Sequence, residues 1–238
     1  MSEESARAAA VASALELVEP GTTVGLGSGR AVFALVEALA SRWPAAGDGA
    51  RPRLVVASSR TEALARAAGF ELLELDEGVA VDHAFDGADE VDADLGLVKG
   101  GGAALLREKL VMGAARRVTI VAEARKRVPR LGHTRPLPVE VVRFAWPSTR
   151  DRLERLLPGA ALRVGPNGRP LLTDEGHHII DGHLPEAGDL RALAAAVKAT
   201  LGVVEHGLFL DEADEVLLGH AAGTVERLTR ERSGGGAA

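Results

Sequence analysis

The residue types best suited to chemistry gather in one segment, FDGADEVDADLGLVKGGGAALLREKL, which spans residues 85–110. Its carboxylates follow directly after a short apolar run that predicts a strand. Like charges so close together raise one another's pKa values, which favours either acid–base chemistry or a metal site. A solvated acidic turn is the plainer alternative, and no EF-hand spacing supports a metal. These carboxylates are Asp86, Asp89, Glu90, Asp92 and Asp94.

Lys99 lies in the same segment, directly before a triple glycine at 100–102 and a predicted helix that bears Glu108. A lysine beside a glycine-rich helix start places a point charge and free N–H donors around one small anion. Glu108 lies within the first two turns of that helix, so its carboxylate can reach the same cavity. The alternative is that Arg107, Glu108 and Lys109 form a solvated helix face.

Two further segments could bind an anion. Residues 24–32, VGLGSGRAV, place three glycines between a predicted strand and a helix, and the N–H groups of such a helix start favour phosphate. The spacing fits neither the dinucleotide fingerprint nor the P-loop, so an ordinary strand-to-helix turn is the alternative. Lys126 ends the segment AEARK at another predicted strand, and a merely exposed lysine is the alternative there.

The elements that must position these residues follow from hydrophobic periodicity. Residues 32–39 predict a helix with one apolar face, and residues 61–68 predict another, closed by Gly69. Alternation of such helices with short apolar strands predicts an α/β fold with an open, mostly parallel, Rossmann-like sheet. Ligands bind at the carboxyl ends of strands in such sheets, so the segments above should meet in one cleft. The predicted strands are 22–26, 54–57, 72–75, 83–85 and 118–121.

The second half changes character after Lys126, where prolines interrupt the pattern. Its order of elements predicts a smaller α+β unit of the split βαβ, ferredoxin-like type. The stretch 207–219, GLFLDEADEVLLG, then predicts strand, acidic turn and strand, which could rejoin the first sheet. The predicted elements of the smaller unit are strand 137–142, helix 149–157, strand 161–164, a turn at 166–168, strands near Leu171 and at 178–181, and helix 189–201.

These patterns divide the 238 residues into two domains. We expect an α/β catalytic domain at 1–130 plus 206–230 and a small α+β domain at 131–205. The glycine-rich end, residues 231–238, predicts a flexible tail.

Composition narrows the class of protein. A net charge of −6 on a chain that is 46% hydrophobic predicts a soluble globule and disfavours nucleic acid as the main partner. The absence of cysteine excludes disulfides, zinc thiolate sites and cysteine nucleophiles, and it fits a reducing compartment. The first residues are acidic where a signal peptide is basic, and no apolar run approaches the ~18 residues of a membrane span, so we expect a cytoplasmic protein without a membrane partner.

The residues alone therefore predict one cleft at the carboxyl ends of parallel strands. It would hold two backbone anion sites, one lysine or two, two aspartates and a glutamate. A phosphorylated small molecule that undergoes proton transfer fits this set of groups.

Several motifs also resemble a known family. The segments DGADEVD and KGGGAALLREK resemble the signature of ribose-5-phosphate isomerase, type A, and further motifs extend the resemblance over nearly the whole chain. The resemblance implies interconversion of D-ribose 5-phosphate and D-ribulose 5-phosphate through a cis-enediolate, in the pentose phosphate pathway. It also implies no metal or other cofactor, and a homodimer or homotetramer. The further motifs are EPGTTVGLGSG, AEARKRVPRLG, PLPVEVV and GVVEHGLF.

The resemblance assigns roles residue by residue. Glu108 is implied as the general base, and Asp86 and Asp89 as the groups that handle the sugar hydroxyls. Lys99 and the triple glycine would stabilise the enediolate oxygen, and Lys126 would bind substrate. The full set of implied substrate-binding residues is Ser28, Gly29, Arg30, Ala31, Gly87, Ala88, Gly100, Gly101, Gly102 and Lys126.

The first glycine loop departs from the family pattern. The family reads Gly-Thr-Gly-Ser-Thr, and here Arg30 and Ala31 replace two hydroxyl donors, while Arg7 stands at a lysine position. A guanidinium can grip phosphate bidentately, so we expect Arg30 to take over from the missing donors. Two other functions stay open at this point: a non-catalytic sugar-phosphate sensor, and an acyl-CoA transferase with a glutamate nucleophile. No helix-turn-helix candidate supports the first, and no second glycine-rich site supports the other.

Overall fold

The structure is a computed structural model, and it describes residues 2–47, 49–76 and 78–230. The predicted tail at 231–238 lies outside the described residues. In chain order the helices are α1 Glu3–Leu15, α2 Arg30–Arg42, α3 Ser59–Ala67, α4 Leu105–Gly113, α5 Trp146–Leu153 and α6 Leu190–Lys198. The strands are β1 Thr23–Leu26, β2 Arg53–Val56, β3 His83–Asp86, β4 Glu90–Val91, β5 Leu97–Val98, β6 Val118–Glu123, β7 Leu137–Val141, β8 Ala161–Leu162, β9 His178–Gly182, β10 Val203–His206, β11 Leu208–Phe209, β12 Glu215–Gly219 and β13 Val225–Thr229.

A six-stranded sheet forms the larger part of the molecule, in the order β13-β12-β6-β3-β1-β2. All neighbouring strands run parallel except β13, which pairs antiparallel with β12. The predicted open, mostly parallel α/β sheet is confirmed. Strand β12 belongs to this sheet, as we expected for the stretch 207–219.

Both faces of this sheet are covered, because successive side chains of a strand point to opposite faces. In β12, Val216 and Leu218 pack into one layer of core with α4, while Leu217 packs into the other layer with α1 and α2. Covering both faces explains why these strands read as continuous apolar runs.

The strand order creates the crevice that holds the site. The chain moves from β1 outward to β2 and then returns to β3 on the other side of β1. A crevice opens where the order reverses in this way, at the carboxyl ends of the two strands. Gly27 follows the end of β1, and Asp86 is the last residue of β3.

The smaller sheet is antiparallel, in the order β10-β7-β9-β8, with α5 and α6 in the connections. This is the order of the split βαβ arrangement, so the predicted ferredoxin-like unit is confirmed. A third sheet, β11-β5-β4, was not predicted. It pairs the strand that precedes Lys99 with the chain returning from the smaller sheet.

Several predicted elements differ in the structure. Residues 72–75 are not a strand: only Leu72 forms a bridge, to Leu54, and the acidic residues that follow leave the sheet edge. The segment near Leu171 is not a strand either, because Pro170, bridged to Val164, has no N–H to continue a ladder.

The two helices of the smaller unit are shifted or shortened. The predicted helix 149–157 begins earlier, at Trp146, with Pro147 in its first turn, and ends at Leu153. The predicted helix 189–201 spans Leu190–Lys198, because Asp189 caps it by accepting hydrogen bonds from backbone N–H groups. Among the described residues, no helix is long and apolar enough to cross a membrane.

Candidate active site

A cavity of about 220 Å³ lies at the carboxyl ends of β1, β3 and β6. All the residues that the sequence proposed for the site line this cavity except Asp86, which lies beneath it at 1% exposure. The lining residues are Ser28, Gly29, Arg30, Ala31, Gly87, Ala88, Asp89, Lys99, Gly100, Gly101, Gly102, Glu108, Val121, Glu123 and Lys126.

Lys99 is the charged centre of the cavity. Its Nζ lies 2.9 Å from Asp86 Oδ2 and 3.2 Å from Glu108 Oε2, and it donates a hydrogen bond to the carbonyl of Gly87 at 2.6 Å. The sheet β11-β5-β4 positions this lysine, because its backbone N–H donates to the carbonyl of Gly207 directly after β5. One ammonium is therefore shared between two buried carboxylates.

Asp86 holds the lysine from below. Its Oδ1 accepts hydrogen bonds from the backbone N–H groups of Ser28 at 3.1 Å and Gly87 at 2.7 Å. Gly27 makes this approach possible, since a Cβ at that position would lie 1.8 Å from Asp86 Cγ. The glycine that the sequence offers as a phosphate-loop residue is thus required for the close contact between β1 and β3.

Glu108 is the group best placed to exchange a proton. Burial, and then the charge of Asp86, raise its pKa to about 8 against the opposing effect of Lys99. Although Lys99 is within ion-pair distance, Glu108 Oε2 accepts no hydrogen bond of good geometry from the described residues. A carboxylate with an unsatisfied oxygen and a pKa near neutrality suits a general base.

The other two charges of this cluster have fixed roles. Burial raises the pKa of Asp86 despite its contact with Lys99. Burial opposes the charged form of Lys99, but the carboxylates of Asp86 and Glu108 outweigh it and raise its pKa. Lys99 therefore stays an ammonium over the pH range in which Glu108 titrates.

Asp89 and Lys126 also line the cavity, and they lie close to each other. Asp89 Oδ2 accepts a hydrogen bond from the N–H of Gly101 at 2.8 Å, and Lys126 Nζ donates to the carbonyl of Ala88 at 2.9 Å. Lys126 Nζ lies 3.9 Å from Asp89 Oδ1, and burial lowers the pKa of this lysine. Lys126 is therefore not merely exposed.

The acidic segment is divided between site and scaffold. Asp86 and Asp89 face the site, whereas Asp92 closes its own loop by accepting from the N–H groups of Asp94 and Gly96. Glu90 is buried and accepts hydrogen bonds from the backbone N–H groups of residues 132, 134 and 135. Within the described ranges, no group of three or more histidine, cysteine, aspartate or glutamate side chains is arranged to hold a metal ion.

The first glycine loop also lines the cavity, where α2 begins. Gly29 has a φ of +98°, and the N–H groups of the first helical turn lack intrahelical acceptors, which suits an anion. The guanidinium of Arg30 is 62% exposed and lies 3.7 Å from Glu3 Oε2. Arg30 therefore lines the cavity, but its guanidinium forms a long, exposed ion pair with Glu3.

Three residues at the site were missed from the sequence. Val121 and Glu123 line the cavity, and Glu123 accepts a hydrogen bond from Arg7 of α1 at 3.2 Å. Ser58 supports the first glycine loop by donating to Ser28 Oγ at 3.0 Å. The position of Glu123 at the carboxyl end of a strand was a usable signal, since that edge carries the site.

A parallel sheet with a lysine–carboxylate cluster and a helix start at its switch point defines an α/β enzyme acting on small anionic molecules. Comparison with known proteins identifies the family: the family model of ribose 5-phosphate isomerase A (phosphoriboisomerase A) matches residues 53–223. The chain belongs to the ribose 5-phosphate isomerase A family.

Relatives and solved structures agree with this family. The chain is 44% identical to ribose-5-phosphate isomerase A of Cereibacter sphaeroides (strain ATCC 17023), over 93% of this chain and 86% of that protein. It is 48% identical to ribose-5-phosphate isomerase A of Caulobacter vibrioides (strain NA1000 / CB15N), over 90% of this chain and 93% of that protein. A D-ribose-5-phosphate isomerase solved with phospho-erythronic acid superposes with a TM-score of 0.91 at 34% identity, covering 97% of this chain and 100% of that chain. The sensor and acyl-CoA transferase alternatives are not favoured.

Proposed function

We propose that this protein interconverts D-ribose 5-phosphate and D-ribulose 5-phosphate through a cis-enediolate, with Glu108 as the base. The observation that carries the assignment is Glu108 itself, which lines a cavity of about 220 Å³ with its Oε2 buried beside the ammonium of Lys99 and without a hydrogen bond of good geometry from the described residues. A phosphopentose isomerase belongs to the non-oxidative branch of the pentose phosphate pathway.

The proton is moved by a single carboxylate. Glu108 takes the proton from C2 of the open-chain aldose, and the C2–H electron pair forms the C1=C2 bond while O1 becomes negative. A second proton passes from O2 to O1, and Glu108 returns its own proton to C1 to give the ketose. One base that faces both carbons is sufficient for this sequence.

The negative oxygen of the enediolate is stabilised by Lys99 and the loop Gly100–Gly102, in which the N–H of Gly101 is already bound to Asp89. Such preorganised donors contribute about 10²–10³ in rate in comparable oxyanion sites. Asp89 lines the cavity and acts on the sugar hydroxyls in ring opening and in the O1–O2 transfer. Asp86 was predicted to share that work, and its position beneath the cavity supports an action through Lys99.

The phosphate binds at the first glycine loop. Ser28, Arg30 and the start of α2 line the cavity, and Lys126 is a second cation in the same lining. We assign the phosphate there because the N–H groups of a helix start favour an anion.

Replacement of the base tests the proposal. Glu108→Gln keeps the shape and removes the basicity, so we expect kcat for ribose 5-phosphate to fall by at least about 10²-fold with KM little changed. The matched control is Glu62→Gln, which removes a carboxylate from the exposed pair with Arg66 on α3. Steady-state kinetics on EDTA-treated protein provide the measurement, and near-normal turnover of Glu108→Gln would contradict the assignment.

We also propose a cytoplasmic homodimer or homotetramer. The cysteine-free composition supports a reducing compartment. Phe144 and Leu201 are exposed apolar residues at one end of the smaller sheet, where Val142 bonds to Gly202, and they offer a surface for a second copy. Cell fractionation tests the location, and sedimentation equilibrium tests the oligomeric state, with a monomer as the contradicting result.

A further inference from the structure

One turn of the smaller unit contacts both sides of the catalytic cleft. This bridging turn comprises residues 173–177. Asp174 Oδ2 accepts a hydrogen bond from the N–H of Ser59, the first residue of α3, at 2.8 Å. Glu175 Oε1 accepts one from Arg107 Nε in α4 at 2.6 Å, and Arg107 also lies 3.8 Å from Asp174. The two helices are thus held by adjacent residues of the same turn.

Each of these contacts is one residue away from the site. Ser58, next to Ser59, caps α3 and donates its hydroxyl proton to Ser28 in the first glycine loop. Arg107 directly precedes Glu108, the proposed base. The bridging turn is therefore linked by one contact to the phosphate end of the cleft and by another to the base.

The bridging turn is itself anchored in the small sheet. Glu140 on β7 is 1% exposed, and its Oε1 accepts hydrogen bonds from the hydroxyl of Thr173 at 2.8 Å and from Nδ1 of His177 at 2.9 Å. The N–H of Thr173 donates to the carbonyl of His177 at 3.0 Å, which closes the turn. An anchored turn can hold its two partners at a set separation.

Helix α4 needs such an external contact at its start. Its N-cap residue, Ala104, makes no side-chain capping bond. The contacts of Arg107 with Asp174 and Glu175 supply an anchor in the first turn instead, where the orientation of Glu108 is decided. The loss of that anchor removes one restraint from the turn that carries Glu108.

The segment leading into the turn also bounds the cleft. A second cavity of about 300 Å³ is lined by Leu171, Leu172 and Asp174 together with Ser28 and Gly102, which the catalytic cavity shares. The small unit therefore forms an outer wall of the site.

We propose that the bridging turn positions the catalytic groups: it sets the separation between the first glycine loop and Glu108, and so the approach of C2–H to the base. Asp174, Glu175 and Arg107 are positioning residues that do not touch the substrate. This inference rests on the proposed function. Proton abstraction is sensitive to such a separation, because a misplacement of about 1 Å can cost as much as about 10²-fold in rate.

Kinetics of variants on each side of the turn test the proposal. Arg107→Ala should lower kcat for ribose 5-phosphate roughly tenfold with a smaller change in KM, because it releases the base. Asp174→Ala should raise KM as well, because it releases α3 and the glycine loop. Asp174→Asn keeps an acceptor for the N–H of Ser59, so its KM should stay close to that of the wild type. Arg66→Ala on the exposed face of α3 is the control and should leave both constants unchanged.

A structural readout makes the test independent of activity. Hydrogen–deuterium exchange should show lower protection of residues 104–109 in Arg107→Ala and of residues 27–31 in Asp174→Ala, with thermal midpoints close to wild type. Unchanged exchange and kinetics in both variants, or equal losses in every variant including the control, overturn the positioning role. An inactive wild type overturns the proposed function instead, and the exchange result still decides the role of the turn.

Discussion

At the scale of single residues, the site depends on the ammonium of Lys99 and on the different surroundings of the two carboxylates beside it, Asp86 and Glu108. Lys99 contacts Asp86 Oδ2 and Glu108 Oε2, and neither oxygen accepts a hydrogen bond of good geometry from the described residues. The difference lies in the other oxygen of Asp86, because Oδ1 accepts two backbone hydrogen bonds. Two buried carboxylates beside one lysine thus acquire different tasks from their surroundings. In the proposed mechanism, Asp86 orients the lysine and Glu108 carries the proton.

The pH dependence of the reaction should show this arrangement. We expect kcat/KM for ribose 5-phosphate to rise with pH through an acid limb near 8, because Glu108 must be ionised and burial and Asp86 raise its pKa to about 8. The raised pKa of Lys99 keeps the lysine protonated over the same range. A rate profile at constant ionic strength measures the limb, and a plateau that begins near the ordinary glutamate pKa of about 4.3 would contradict it.

Arg30 permits a second test at this scale. The ion pair with Glu3 is exposed and therefore weak, so the guanidinium can exchange it for the substrate phosphate at little cost. We expect Arg30→Ala to raise KM about tenfold, and more at low ionic strength. Glu3→Gln, which removes the competitor, should leave KM equal or lower. A KM that is unchanged by Arg30→Ala and insensitive to salt would show that the guanidinium does not bind phosphate.

At the scale of elements, the site depends on how closely β1 and β3 approach at their carboxyl ends. Gly27 and Asp86 are in contact there, and the N–H of Gly27 donates to the carbonyl of Phe85 at 3.0 Å. Three consecutive residues of helix α4 are bound by other segments: Arg107 by the bridging turn, Glu108 by Lys99, and Lys109 by Glu205 of β10. Lys109 also donates to the carbonyls of His206, at the end of β10, and Leu208, at the start of β11. The solvated helix face that these charges could have formed is not what the structure shows.

A methyl group at the strand end should disrupt the cluster. Gly27→Ala places its Cβ where Asp86 now lies, so we expect kcat/KM to fall at least tenfold and stability to fall by about 1–3 kcal/mol. Gly113→Ala at the end of α4 is the matched control, since its Cβ meets nothing within 4 Å. That variant should keep its activity and gain about 0.4–1 kcal/mol. Kinetics and urea unfolding measure both, and wild-type behaviour of Gly27→Ala would refute the close-contact role.

At the scale of the whole molecule, two anchored crossings join the sheets. Buried Glu90 binds the backbone at residues 132–135, where the chain leaves for the smaller sheet. Lys109 Nζ donates to the carbonyls of His206 and Leu208, where the chain returns. Charged groups that are distant from the substrate thereby hold the smaller unit against the cleft.

The raised pKa of Glu108 should lower the free energy of unfolding at neutral and alkaline pH. The folded-state pKa of Glu108 is raised from 4.5 to about 8, so its contribution to stability is present below pH 4.5 and is lost as pH rises through about 8. Gln does not titrate, so Glu108→Gln should gain stability relative to wild type between those values. We expect a relative gain of about 1 kcal/mol or more, since one unit of pKa shift corresponds to about 1.36 kcal/mol. Urea unfolding of both proteins near pH 5 and near pH 9 measures the difference, and an equal difference at both would contradict it.

The sequence by itself determined the class of fold and most of the site. Alternating strand and helix periods predicted the parallel sheet and the split βαβ unit, because burial on one or two faces leaves a local pattern. The glycines, Lys99 and Glu108 were found because their types carry chemistry and the parallel strands bring their ends to one edge. The prediction of a strand at 72–75 was wrong, because an apolar run does not show whether the neighbouring strand offers it a continuous edge.

Only the tertiary structure decided how the same groups behave. Burial and contact with residues distant in sequence raise the pKa of Glu108, place Asp86 beneath Lys99, and separate Glu90 and Asp92 from the catalytic carboxylates. The bridging turn could not be read from the sequence, since Asp174 and Arg107 are joined only after the smaller unit folds onto the sheet. Protonation states and separations are set by the neighbours in space, and those neighbours are contributed by segments that no local pattern connects.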